Sequence, residues 1–148
     1  MSEHPSYPSL TLPLQVRFSE VDSMHIVWHG HYIRYFEDAR EAFGRQYDLE
    51  YMTIYNQGFY APLVDVSVSY KRPITYGMHP LVTITYQPSD AAKIIFDYAI
   101  TDADSGQLLA TGHSVQVFLD LEHQLVWLPP QFYLDWKAQH LNSSDSHV

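Results

Sequence analysis

Between Glu20 and His31 the chain reads EVDSMHIVWHGH, the densest run of reactive side chains in its 148 residues. The run holds Glu20, Asp22, His25, His29 and His31, and it falls where an alternating segment gives way to a helical one. A helix start exposes backbone N–H groups without partners and the positive end of the helix dipole. Such a place can polarise a carbonyl or hold a developing oxyanion. Asp22 stands seven residues before His29, near enough for a carboxylate to reach the same point across a loop. Plainer readings compete with this one. An Asp in a strand-to-helix loop is often only a cap or a turn residue. His25, His29 and His31 read H-x-x-x-H-x-H, and three imidazoles with an acid can bind zinc or iron. Residues two apart on a helix point about 200° apart, however, so His29 and His31 make poor joint ligands, and Glu37 lies too far along. No metal site is expected. Glu37 and Arg40, three apart, read as an intrahelical ion pair or interface contact.

The elements that must position these residues follow from periodicity. Leu10 to Phe18 alternates, with Pro13 demoting it to an edge or late-starting strand. Tyr32, Phe36, Ala39 and Phe43 form one apolar stripe, widened by Ile33 and Tyr47, which predicts a helix from about His29–His31 to Tyr47. The period then switches to two. Pro62 to Pro73, Pro80 to Pro88, Lys93 to Asp102 and Gln107 to Asp120 alternate, separated by TYGMHP, PSDAA and DADSG. Short turns of this kind imply antiparallel neighbours. HQLVWLP predicts one more short strand, and Pro130 suits the first turn of a terminal helix. Gly58 and Pro62 read as a turn from helix to sheet. The long helix can bury its stripe only against the sheet. Residues 1–9 read as a loose arm, 10–141 as one domain and 142–148 as a disordered tail.

Composition closes off several function classes. The formal charge is −9 at pH 7, so nucleic acid, which needs a basic surface, is not an expected partner. There is no cysteine, which excludes disulfides, thiolate zinc sites and a cysteine nucleophile. No apolar run approaches the roughly 20 residues that span a bilayer, and the N-terminal segment lacks the pattern of a signal peptide. A soluble cytoplasmic protein is the expectation. Twelve Tyr, seven Phe and three Trp suit interfaces and ligand clefts.

The stretch VRFSEVDSMHIVWHGHYIRYFEDAR resembles the signature of the 4-hydroxybenzoyl-CoA thioesterase-like branch of the hotdog superfamily, which includes the YbgC acyl-CoA thioesterases. The matching positions are Phe18, Asp22, Ile26, Val27, Trp28, His29, Tyr32 and Glu37 to Arg40; VSVSYKRPITYG and TGHSVQVFLD resemble two of the family's strands. Met24 and His25 stand where the family often carries Gly, which predicts a differently shaped loop. The resemblance implies an α+β hotdog fold, a curved antiparallel sheet wrapped around one long central helix. It implies hydrolysis of an acyl-CoA or related acyl thioester to acid and thiol, with no cofactor. Asp22 matches the catalytic aspartate, and His29 the residue whose backbone N–H polarises the thioester carbonyl. Asp22 would attack directly or activate water; an unshifted Asp, with a pKa near 3.9, is a feeble base at neutrality. Trp28 and Tyr32 are expected substrate-binding residues, and Lys71, Arg72 and Lys93 are candidate partners of the CoA phosphates or else solvated strand ends. The implied assembly is a homodimer or homotetramer with the site at the subunit interface. An acyl carrier protein is an alternative thioester carrier, and a non-catalytic acyl-CoA-binding protein is the alternative function.

Overall fold

The computed structural model describes residues 7–141. Six residues of the expected arm and the expected tail at 142–148 lie outside them. The strands are β1 (Ser9–Pro13), β2 (Phe59–Tyr60), β3 (Leu63–Tyr70), β4 (Pro80–Gln87), β5 (Lys93–Asp102), β6 (Leu108–Val117) and β7 (Leu119–Asp120). The helices are α1 (His31–Tyr47), α2 (Tyr51–Asn56) and α3 (Gln131–Leu141). Five strands form one antiparallel sheet in the order β1-β4-β5-β6-β3, and β2 pairs separately with β7. This is the expected α+β hotdog arrangement, with the long helix against one face of the sheet.

The alternating segments put one set of side chains toward α1. Val82, Ile84 and Tyr86 of β4 and Ile94, Phe96, Tyr98 and Ile100 of β5 are all buried. The helix answers with Tyr32, Tyr35, Phe36, Ala39 and Phe43. Phe36 stacks on Tyr98 with ring centroids 4.3 Å apart, and Phe43 meets Phe96 edge-on at 4.8 Å. Gly112 permits this approach. A Cβ there would stand 2.3 Å from the Phe36 ring, and forcing such an overlap into a packed core costs about 1–3 kcal/mol. β3 is an edge strand, and a bulge between Leu63 and Asp65 leaves Val64 59% exposed.

Four expectations need correction. The first strand stops at Pro13, which has no N–H to continue the ladder, and Phe18–Glu20 is a single 3-10 turn. Tyr35, outside the predicted stripe, is buried. HQLVWLP is not a strand beyond one bridge between Leu119 and Leu125; the Asp120 side chain instead accepts the Glu122 and Gln124 N–H groups and turns the chain. The connection from α1 to the sheet contains α2 and β2, more than a turn. Among the described residues no helix is long and apolar enough to cross a membrane.

Helix α3 closes one end of the core with Tyr133 and Trp136. The Trp136 indole N–H donates to the Tyr47 carbonyl at 2.6 Å. His140 packs on Trp136 and Tyr47, and its Nε2 is buried without a partner. Burial lowers the His140 pKa, against a smaller opposing effect of Asp48. Because the folded value lies below the unfolded one, near 6.5, this site costs no stability above that pH. Stability falls as pH drops through 6.5 toward the folded value. Urea midpoints taken at pH 7.5 and 5.5 should therefore fall further in the wild type than in His140→Phe. Equal losses would contradict the assignment.

Candidate active site

Glu20 organises the loop that carries Asp22. Only 4% exposed, its side chain accepts the Arg17 N–H at 2.9 Å and the Tyr35 hydroxyl at 2.8 Å, while its carbonyl accepts the Trp28 N–H at 2.9 Å. One residue thus joins the 3-10 turn, the far side of the loop and the first turns of α1. Burial, and next the bond to Glu20, raise the Tyr35 pKa far above the usual tyrosine range, so this hydroxyl keeps its proton and remains a donor.

Residues 20–28 double back as a narrow hairpin. Val21 bridges Val27, and the Asp22 N–H donates to the Ile26 carbonyl at 2.9 Å. The other side is tied to the strand connection, with Ile26 bridging Thr75 and the Val27 N–H on the Ile74 carbonyl at 2.8 Å. At the tip the Asp22 Oδ1 accepts the Met24 N–H at 2.8 Å. The turn reading of Asp22 is therefore correct for one carboxyl oxygen, while Oδ2 has no hydrogen-bond partner among the described residues. His25 adopts φ 66°, the left-handed region that glycine favours. This is the position where the resemblance led us to expect a changed loop.

The hairpin delivers the chain directly into α1. The His29 N–H has no acceptor among the described residues, whereas its carbonyl accepts the Tyr70 hydroxyl at 2.8 Å. Tyr70 thereby fixes the plane of the peptide joining His29 to Gly30. Trp28 lies over Gly30, where a Cβ would meet the indole at 2.0 Å, and its ring also faces His29 at 4.8 Å. Sequence reading missed Glu20, Tyr35 and Tyr70. Tyr70 was visible only as a strand residue, because its contact spans 41 positions.

The other predicted site residues divide by location. Trp28 is exposed beside the loop. Tyr32 is only 3% exposed and packs edge-on against Tyr70 at 4.8 Å, so it supports the wall rather than presenting itself to solvent. Lys71 and Arg72 are exposed on the segment between Tyr70 and Thr75, both anchored through their N–H groups to the Leu109 carbonyl. Lys93 opens β5 opposite Val117, at the other end of the sheet. His25, His29 and His31 form no metal-binding group among the described residues. Glu37 and Arg40 approach to 3.9 Å.

A pocket of about 450 Å³ lies elsewhere, among the second half of α1, α2 and strands β5 and β6. Arg40, Phe43, Phe96 and Gln116 are among its walls; Asp22, His29, Trp28, Tyr32, Lys71 and Arg72 are not. From His29 to Glu37 and Arg40 the helix rises about 12–16 Å. Within one chain, the reactive loop and the large pocket are thus separate.

Replacing Tyr35 by Phe leaves the buried Glu20 side chain short of a donor. Tyr35→Phe should lower the unfolding free energy by about 1–3 kcal/mol, measured by urea titration; no loss would mean that this bond does not hold the loop.

The sequence profile of the thioesterase-like superfamily matches residues 16–136. The chain is 29% identical over 126 residues to the protein named "Putative acyl-CoA thioesterase YneP" of Bacillus subtilis (strain 168), covering 83% of this chain and 88% of the relative. It superimposes on the crystal structure of Slr0204, a 1,4-dihydroxy-2-naphthoyl-CoA thioesterase from Synechocystis, with TM-score 0.76 and 27% identity over 86% of this chain and 94% of that one. The DHNA-CoA thioesterase of Staphylococcus aureus gives TM-score 0.78 at 24% identity, over 93% and 95% of the two chains, a likeness of fold. With the profile spanning most of the chain, from just after the first strand into the terminal helix, this protein belongs to the thioesterase-like superfamily.

Proposed function

We propose that the protein hydrolyses acyl-CoA thioesters to the free acid and CoA, with Asp22 and the His29 N–H acting on the same carbonyl. The carrying observation is the hairpin of residues 20–28. It ties Asp22, whose Oδ2 has no partner among the described residues, into a loop that runs through His29, two residues before α1, whose N–H also lacks an acceptor there. A thioester carbonyl is a good electrophile. The His29 N–H would hold its oxygen as negative charge develops, a donor typically worth about 3 kcal/mol. Asp22 acts on the carbonyl carbon, either directly, expelling the CoA thiolate to give a mixed anhydride that water then hydrolyses, or through an activated water. Lys71 and Arg72, exposed on the neighbouring segment, offer charge to the CoA phosphates. The relatives named for CoA thioester cleavage support CoA as carrier over an acyl carrier protein.

The sheet edge supports a two-fold dimer. β3 has a neighbour on one side only, and isologous pairing of two such edges removes both exposed ladders. Tyr70, which touches His29, ends β3, while Leu63 at its start pairs with Gln116 of the pocket wall. Antiparallel pairing of two β3 strands would bring the partner's pocket toward the Asp22 hairpin, giving the acyl group a place beyond the reacting carbonyl.

Asp22→Asn should reduce kcat for acyl-CoA hydrolysis at least 100-fold in a thiol-release assay while the melting curve stays within a few degrees; full activity in a folded variant would end the proposal. On dilution, specific activity should fall in step with dimer dissociation measured by sedimentation. An active monomer would refute the shared site.

A further inference from the structure

Two donors converge on the His29 carbonyl, the Tyr70 hydroxyl at 2.8 Å and the Tyr32 N–H at 3.4 Å. That carbonyl shares its peptide group with the Gly30 N–H, which has no acceptor among the described residues. The peptide is engaged at its oxygen and open at its nitrogen. Hydrogen bonds in such a chain polarise one another, so a bond accepted at the C=O strengthens the N–H as a donor. Gly30 has helical φ and ψ of −69° and −18°. Its N–H and that of His29 are therefore successive donors at one helix start, where orphan N–H groups face outward along the axis. A developing oxyanion accepts more than one such bond.

Satisfying a buried carbonyl does not explain Tyr70. His29 is exposed, so water would serve its oxygen without penalty. What water lacks is a fixed position. Tyr70 has one: it ends β3 opposite Ala110, and the next two N–H groups both donate to the Leu109 carbonyl. Its ring packs edge-on against Tyr32 at 4.8 Å and faces the His29 ring at 6.3 Å. Burial raises its pKa above the ordinary tyrosine value, so the hydroxyl keeps its proton at neutral pH. The segment after Tyr70 is tied to the same loop twice more, by the Ile74 carbonyl on the Val27 N–H and by the Thr75 bridge to Ile26.

Resting on the thioesterase reading above, we infer that Tyr70 is a positioning residue for the reaction: through the His29 carbonyl it holds and polarises the His29–Gly30 peptide, so that the Gly30 N–H joins the His29 N–H on the thioester oxygen. Tyr70 does not touch the reacting carbonyl. Its contribution grows with the negative charge on that oxygen, so it acts on the transition state more than on substrate binding.

The test uses Tyr70→Phe, which keeps the ring contacts and deletes the hydroxyl, with Ser69→Ala as a neighbouring control. Kinetics are measured on whichever of acetyl-, octanoyl- and benzoyl-CoA the wild type cleaves fastest. Tyr70→Phe should lower kcat about 3- to 10-fold, the range of one neutral hydrogen bond. KM should stay unchanged, and the melting curve within a few degrees. Ser69→Ala should match the wild type in all three. The second readout needs no turnover. S-acetonyl-CoA carries a ketone in place of the thioester carbonyl, one methylene from the sulfur, and cannot be hydrolysed. Titrated into isotope-labelled protein and followed by NMR, it should move the His29 and Gly30 amide protons downfield together in the wild type, and Gly30 clearly less in Tyr70→Phe. An unchanged kcat, or a raised KM with a lowered melting temperature in its place, overturns the positioning role. A ketone that shifts His29 without Gly30, or neither, overturns the second donor. Both amides shifting while none of the three thioesters is cleaved overturns the thioesterase reading instead, and leaves a carbonyl-binding site with two donors.

Discussion

The buried side chain of Glu20 is the constraint on which the candidate site depends. A carboxyl group in a protein interior needs hydrogen-bond donors, and here they come from two places that nothing else in the sequence would bring together: the Arg17 backbone and the Tyr35 hydroxyl. Satisfying Glu20 therefore fixes the exit of the first strand against the helix. Its carbonyl then fixes the return of the loop at Trp28. Asp22 lies between these two points and inherits its position from them. The residue proposed for the chemical role is partly exposed, and the residue that places it is sealed from water.

The same arrangement explains why the helix start is usable. A helix N-terminus is electropositive in any protein, but it serves a substrate only where its N–H groups are neither capped nor covered. In α1 no side chain caps the first turn, and although the Trp28 and His29 carbonyls accept the His31 and Tyr32 N–H groups, the His29 N–H just before the helix has no acceptor among the described residues. Tyr70 takes the carbonyl of His29 and so holds the peptide plane from outside the helix. Gly30 lets Trp28 lie flat against the chain. The sheet holds the helix through Phe36 and Phe43, and Gly112 lets Phe36 approach closely. Core packing and site geometry are in this way one set of contacts.

The separation of the reactive hairpin from the large pocket gives the edge strand its meaning. If the site is shared as proposed, a monomer with these two features at opposite ends of β3 would hold half a site at each end. A two-fold axis beside that strand would supply the missing halves to one another. Conserving backbone hydrogen bonds at an exposed edge and completing two sites would then be the same event.

Much of this architecture was legible in the residues themselves. The four-three-four spacing of Tyr32, Phe36, Ala39 and Phe43 located α1, and alternation located β3 to β6, because backbone geometry repeats every 3.6 or two residues and burial selects one face. The motif around Asp22 and His29 also pointed to the loop for which the chemistry is proposed. Other features had no local signal. HQLVWLP has a strand's composition but among the described residues pairs only briefly, with Phe118 to Asp120. Tyr32 belongs to the motif yet is sealed in the core. Glu20, Tyr35, Tyr70 and the pocket around Arg40 acquire their roles only from contacts across 15 to 58 positions. The sequence by itself determined which segments are helix and strand and which short stretch holds the reactive groups, since those follow from local periodicity and residue chemistry. Only the tertiary structure decided which polar side chains are buried, what satisfies them and where the cavity lies, since desolvation depends on everything that packs around a group and not on its neighbours in the chain.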